Sequence, residues 1–330
     1  MGLNRPSDKS RREFPQNKRN QMTHNQVDVS ILIVSYNTRE MTIECIESIF
    51  AETRSHSFEV ILIDNDSHDG SADAIAEQCP KVKLIRSEKN LGFARANNVA
   101  SEQSTGRRTL LLNPDTVIVE RAIDKLLDFA DENPDCRMWG GRHMFRDGSK
   151  NEYNCWSDYT VWTVFCSCTG LSKFFQKSSI FNPRSYPGYD RMSIKEVDII
   201  TGCFLLMDTN LWDELEGFDN DFFLFAEEAD LCVRARKAGA RPTLTPDALI
   251  MHDGGGSSPI RSEDRRIMLI KAERQYHRKH LGFFGSKLAC LMIDFRVMGL
   301  ALTGSFKHLV TGNPSPQASL NLLKRRKEWA

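Results

Sequence analysis

The chain has 330 residues, 40% hydrophobic and 27% charged, an ordinary balance for a soluble protein with room for one large α/β domain or two modest ones. Its 44 basic residues match its 44 acidic ones, so no global field favours nucleic acid or another strongly charged partner. The nine cysteines show no zinc-knuckle or thioredoxin-type spacing, and the basic N-terminus carries no apolar signal core. Reduced thiols and a cytoplasmic location are therefore expected.

Residues 1–26 are polar, basic and aperiodic and read as a disordered arm. VSILIVS at Val29–Ser35 is a β-branched run suited to a buried parallel strand. Residues 39–50 then place Met41, Ile43, Cys45, Ile46, Ile49 and Phe50 at near-helical spacing. A second strand follows at 59–64, a short helix at 70–79, a third strand at 82–86, a helix at Phe93–Ser101 and a fourth strand at 109–113. A helix over 120–132 closes this half before Pro134.

Residues 142–195 are less regular and rich in aromatics, among them Trp156, Tyr159, Trp162, Phe165, Phe174, Phe175 and Phe181. They suggest an acceptor-facing surface or a lid, and plain packing explains them at least as well. Regularity resumes at 197–207, with a helix near 210–215, the segment 217–239, a strand at 248–251, a Gly-Gly-Gly-Ser-Ser loop and helices to about residue 303. Cys45, Cys203 and Cys232 sit in apolar runs, where a thiol behaves as a small hydrophobe. Strands alternating with helices imply a parallel sheet with right-handed crossovers, and ligands bind outside the carboxyl ends of such strands.

Several polar clusters stand at those ends. Asp64 and Asn65 follow the second strand, where a carboxylate can accept from a base imide or a ribose hydroxyl; an Asx turn is the plainer alternative. In NLGFARANN, Gly92 would let backbone N–H groups approach a phosphate at a helix N-terminus, with Arg95 adding a charge, although a helix cap explains the same residues. Asn113-Pro114-Asp115 ends the fourth strand, and Asp115 is a hard oxygen donor suited to Mg²⁺ or Mn²⁺. FFLFAEEADLCVR places Glu227 and Glu228 at the start of a helix, one able to act as a general base while the other supports local structure. Asp230 and Arg234 at i and i+4 read as a structural ion pair. His252 ends a strand beside Gly254-Gly255-Gly256-Ser257 and is a ready ligand for a divalent ion.

In order and spacing, VSILIVSYNTRE, EVILIDNDSHDGS, NLGFARANN, LLLNPDT, TGCFLL, GFDNDFFLFAEEADLCVRARKAG and IMHDGGGSS resemble glycosyltransferase family 2, and within it the rhamnosyltransferase-like branch. The resemblance covers about three quarters of the chain. It implies an α/β fold of the GT-A, Rossmann-like type, with a mainly parallel central sheet and C-terminal helices. It implies a domain at 27–281, split into a nucleotide-sugar half (27–135) and an acceptor and catalytic half (136–281), then a helical extension and basic tail at 282–330.

By the same resemblance, Ser35, Asn37, Asp64 and Asn97 would hold the nucleoside, while Asp115 would match the family's metal-binding aspartate and His252 the histidine that completes the metal site in some members. Glu227-Glu228 stands where the family commonly has Glu-Asp, which makes Glu228 the expected base. The implied reaction is an inverting transfer, from a nucleotide diphosphate sugar such as a rhamnosyl donor, to a glycan or lipid-linked acceptor in polysaccharide assembly. A sugar-nucleotide nucleotidyltransferase is the rival enzyme, although SYNTRE is no Gly-rich phosphate loop; an inactive carbohydrate-binding relative is the rival without chemistry. Residues 283–302 are apolar but interrupted by Lys287, Asp294 and Arg296, so no spanning helix is expected. Packing against the domain or another subunit is the first reading, and a peripheral membrane contact through 283–330 the second.

Overall fold

The computed structural model describes residues 26–254, 262–311 and 317–330. The expected arm and most of the glycine-rich loop lie outside the described residues. The first half alternates as the sequence suggested: β1 (Val29–Ser35), α1 (Arg39–Glu52), β2 (Phe58–Asp64), α2 (Ser71–Gln78), β3 (Lys83–Arg86), α3 (Phe93–Ser101) and β4 (Arg108–Leu112). There follow β5 (Thr116–Ile118), α4 (Ala122–Glu132), β6 (Met138–Met144), β7 (Lys150–Asn151), β8 (Cys155–Trp156), α5 (Val161–Thr169) and α6 (Leu171–Phe174). The chain continues through β9 (Lys195–Glu196), β10 (Ile199–Ile200), β11 (Phe204–Asp208), α7 (Thr209–Glu214), α8 (Glu227–Lys237) and β12 (Thr243–His252). Three helices end it: α9 (Ser262–His280), α10 (Gly282–Thr311) and α11 (Gln317–Lys324).

The main sheet runs β3-β2-β1-β4-β11-β6-β12-β5. Every residue of β1 is buried, because the sheet is covered on both faces. The two-residue pleat divides the apolar run between two cores. Leu32 and Val34 join Ile61, Ile63 and Leu111 in one cluster with α3 and α8, while Ile31 and Ile33 join Val60, Leu62 and Leu110 in the other with α1 and α4. A third apolar cluster joins Val164 of α5 to Ile267 and Ile270 of α9, Ala289, Ile293 and Val297 of α10, and Leu322 and Trp329. This helical layer therefore draws on residues from both sides of position 281.

One topological detail builds the site. β11 lies antiparallel between β4 and β6, whereas β6 and β12 pair in parallel. The start of β11 thus shares an edge with the carboxyl ends of β4, β6 and β12. The Asn113 N–H donates to the Cys203 carbonyl (3.2 Å), which ties the turn after β4 to the residue before β11.

Candidate active site

One cavity opens along this edge and a second adjoins it at the start of α8. The larger, about 480 Å³, is lined by Asn65 and Asn90 beside β2 and α3, by Asn113 and Cys203, by Glu227 and Glu228, and by His252. The second, about 370 Å³, lies between the two-stranded β8–β10 ribbon and the helical layer and is lined by Trp156, Tyr159, Arg184, Glu273, His277 and Arg296 among others. Phe225 and Glu228 belong to both walls.

The start of α8 explains that shared position. Phe225 (φ 74°) and Ala226 (φ 64°) both take left-handed backbone, which is unusual for an aromatic residue and marks strain held by its surroundings. This reversal swings Glu227 and Glu228 onto the first turn of α8. Glu227 is buried, with Oε2 making no hydrogen bond. Burial, reinforced by the Glu228 charge, raises the Glu227 carboxyl well above the usual range. Burial raises Glu228 as well, against partial relief from backbone N–H groups of the first turn.

The helix is anchored one turn on. Asp230, fully buried, accepts from Arg234 Nε (2.7 Å), the pair expected from their spacing, and lies 2.8 Å from His280 Nε2 and 2.6 Å from Lys279 Nζ. Burial opposes ionisation of Asp230, but these partners outweigh it and hold the carboxyl down at about 2.

Asp115 and His252 meet at the edge, with His252 Nε2 3.4 Å from Asp115 Oδ1 and 79° between the rings of His252 and His143. His252 Nε2 is buried and makes no hydrogen bond. Cys203 lies 3.8 Å from the His143 ring nitrogens. Burial works against a thiolate, yet the two imidazoles hold the Cys203 thiol well below its usual range. Burial likewise disfavours the His252 cation, and Cys203 with Asp115 pushes His252 up to about 11. Cys203, buried though it is, thus has polar neighbours, the His143 ring and the Thr201 hydroxyl at 3.4 Å, which its apolar run did not suggest.

The remaining sequence candidates divide. Asn65 lines the larger cavity, with its Oδ1 accepting from the Leu91 N–H (2.8 Å) and its Nδ2 donating to Asn90 Oδ1 (3.1 Å). Gly92 lines it too, but its close approach is to protein: a Cβ there would sit 2.4 Å from the Phe223 carbonyl, at φ +78°. Asp64 is buried, with Oδ2 accepting from the Ser67 N–H (3.2 Å). Ser35 is fully buried among Thr38 and Thr42 hydroxyls, and Asn97 donates to the Phe93 carbonyl within its own helix. Asn37 accepts from the His68 N–H (2.7 Å), and Arg95 is exposed on α3. None of Ser35, Asn37, Asp64, Asn97 and Arg95 lines either cavity, because turn and helix bonds orient the first four inward or along the chain.

Sequence reasoning missed His143, Cys203 as a polar group, and the Arg184–Glu273–Arg296 wall. Arg184 stacks 3.4 Å from the Tyr159 ring centre, and Arg296 Nη2 donates to Glu273 Oε2 (2.9 Å). Glu273 and Arg296 meet because α9 packs against α10, and Arg184 comes from the Pro183–Ser185 turn, which no local motif announces.

Comparison with known proteins agrees with this architecture. The sequence profile described as glycosyl transferase family 2 matches residues 30–206, more than half of the chain. The O-antigen biosynthesis protein RfbC of Myxococcus xanthus is 24% identical over 69% of this chain and 17% of its own length. The N-acetylglucosaminyl-diphospho-decaprenol L-rhamnosyltransferase of Mycobacterium tuberculosis is 27% identical over 58% of this chain and 66% of its own. The chain thus spans less than two thirds of either relative. Among solved structures, the mannosyltransferase PcManGT of Pyrobaculum calidifontis, in complex with GDP-Man and Mn²⁺, superposes with a TM-score of 0.54 at 17% identity, over 92% of this chain and 80% of that one. Residues 1–349 of S. aureus TarS superpose at 0.50 and 15% identity, over 89% and 77%. The fold is that of the GT-A enzymes, and the chain belongs to glycosyl transferase family 2.

Proposed function

We propose that this chain is an inverting glycosyltransferase that holds a nucleoside diphosphate sugar in the larger cavity, an acceptor hydroxyl in the second, and Glu228 between them as general base. The observation that carries this reading is the membership of Glu228 in both walls. The acceptor oxygen forms a bond to the anomeric carbon while the bond from that carbon to the diphosphate oxygen breaks on the opposite face. Glu228 takes the hydroxyl proton as the new bond forms, a contribution of about 10²–10⁴-fold. Asn65, Asn90 and Asn113 offer amide donors and acceptors to the donor molecule along the wall of the larger cavity.

The chain offers a fit for a divalent cation, since a buried imidazole nitrogen without a hydrogen bond faces a buried carboxylate. A divalent cation held by Asp115 and His252 would neutralise charge on the leaving diphosphate. The neighbouring mannosyltransferase, solved with GDP-Man and Mn²⁺, supports this reading.

The acceptor we propose is a lipid-linked glycan presented at a membrane surface. The inner face of α10 buries Ala289, Ile293, Val297 and Ala301, whereas Phe284, Leu288, Leu291, Phe295 and Met298 form an exposed stripe at helical spacing. No helix among the described residues is long and apolar enough to cross a membrane. A stripe of this kind suits lying in the headgroup boundary. The relative named for a decaprenol-linked substrate supports that choice and puts a rhamnosyl donor first among those to test. The test is incubation of the chain with labelled donors and lipid-linked acceptors. Release of nucleoside diphosphate with label in the acceptor supports the reading, and release of pyrophosphate overturns it.

A further inference from the structure

Beside the oxygen and nitrogen donors of Asp115 and His252 stand two groups that neither the sequence motifs nor the proposed reaction uses. His143 is the penultimate residue of β6, and Cys203 immediately precedes β11. Both are buried, at 3% and 5% exposure. One donor atom from each of His143, Cys203 and His252 can be chosen so that all three lie within 4.8 Å of one another. Donors on one tetrahedral zinc-type ion stand about 3.3–3.8 Å apart, as follows from bond lengths near 2.0–2.3 Å. The triangle is therefore one small contraction from ligation, and Asp115 Oδ1, 3.4 Å from His252 Nε2, is already at such a spacing.

We propose that His143, Cys203, His252 and Asp115 together form a four-donor site for a thiophilic divalent cation of the zinc or cobalt class, at the edge of the larger cavity. Two donors stand on strands, His143 on β6 and His252 at the end of β12, and two stand beside them, Cys203 just before β11 and Asp115 just before β5, all at one sheet edge. The Cys203 carbonyl is fixed by the Asn113 N–H and the His252 carbonyl by Asn151 Nδ2 (2.7 Å). Thr201 Oγ1 donates to the Asn154 carbonyl (3.2 Å) and lies 3.4 Å from Cys203 Sγ, the kind of outer contact that orients metal ligands. A thiolate selects against Mg²⁺, which takes oxygen donors, and favours softer ions.

The proposal rests on the assignment of Asp115 and His252 to a cation but not on transfer chemistry, so its readout is spectroscopic. The metal-free 330-residue chain is titrated with Co²⁺ while near-ultraviolet and visible absorption are recorded. The expected result is a thiolate-to-cobalt charge-transfer band that saturates near one equivalent and is displaced by Zn²⁺. Cys203→Ser should abolish the band. Cys45→Ser, which removes a second buried thiol beside the same turn, should keep it. His143→Gln should weaken Zn²⁺ competition by about tenfold or more. Absence of the band in the wild-type protein, its persistence in Cys203→Ser, or unchanged Zn²⁺ competition in His143→Gln overturns the site. Cobalt ligation without any sugar transfer would leave the site standing and remove the proposed reaction instead.

Discussion

Glu227 and Glu228 are neighbours on the first turn of α8, yet only Glu228 borders both cavities; Glu227 faces the larger one alone. Adjacent helix residues point about 100° apart, as 3.6 residues per turn requires, so one carboxylate reaches the junction and the other turns beneath it. The two should separate cleanly on mutation. Glu228→Gln should lower turnover about 10²–10⁴-fold while donor affinity stays within about twofold, read by single-turnover transfer and calorimetric nucleotide binding. Wild-type turnover in that variant would remove Glu228 from the role of base.

Glu227→Gln should behave differently. Burial and the Glu228 charge keep the Glu227 carboxyl protonated into a higher pH range than an ordinary glutamate, and a glutamine copies the neutral form. With its folded-state pKa raised, the stability contributed by Glu227 is full below the unfolded value and lost as pH rises through the folded one. The melting temperature of Glu227→Gln should therefore gain on the wild type as pH increases. A difference that is flat or shrinks with pH would contradict a protonated Glu227.

The pH dependence of transfer follows from Glu228 in the opposite sense. A general base must be ionised, and burial raises its carboxyl from the ordinary value of 4.5. The acid limb of kcat/KM should consequently fall at a pH clearly above that value, with activity rising as pH increases through it. The limb should be missing from the residual rate of Glu228→Gln. A limb at the ordinary carboxylate pH would mean that the base is solvated or is another group.

Much of the fold was legible because the first-half strands are short β-branched runs cut off by polar turns, and burial on both faces demands such runs. β6 was not read, since Gly140-Gly141-Arg142-His143 breaks apolar patterning and only pairing with β11 and β12 makes it a strand. Missing β6 hid His143, and the apolar flanks of Cys203 hid its polar surroundings. Polarity at strand ends singled out Asn65, Asn113 and His252, which line the larger cavity. The same signal also singled out Ser35 and Asn97, which line neither cavity and whose hydrogen bonds stay within the local turn and helix. A polar residue at a strand end reveals the edge but not which way its side chain turns.

Asp230 should be a stability residue rather than an activity one. Asp230→Ala leaves Lys279, His280 and Arg234 without their shared carboxylate at the junction of α8 and α9. Breaking such a buried charged group from one side typically costs about 3–5 kcal/mol, which denaturant unfolding would register. Because its pKa is held down at about 2, its contribution is present above the unfolded value and lost as pH falls through about 2. A loss below about 1 kcal/mol would show that the network is solvated or replaceable.

The apolar stripe on α10 yields the last expectation. Phe284, Leu288, Leu291, Phe295 and Met298 share one face, opposite the residues that pack on α5 and α9, and Lys287 lies beside them. Seating that face in a lipid headgroup layer removes apolar area from water at about 25 cal/mol per Å², and a cationic side chain at the rim favours anionic lipid. The chain should therefore float with vesicles containing phosphatidylglycerol and float less with neutral ones. Phe284→Ser combined with Leu291→Ser should release it while leaving unfolding stability nearly unchanged, since both side chains are exposed in the fold. Exposure also permits the other outcome: light scattering that reports a dimer dissolved by the same double variant, with no flotation by the parent, would assign the stripe to a second copy of the chain. Flotation and scattering are read on one preparation, and the second cavity gives the lipid reading its sense. Ile293 and Arg296 of α10 line that cavity, so a helix resting on a membrane would hold the cavity, with Glu228 in its wall, close above the surface from which a lipid-linked sugar must be reached.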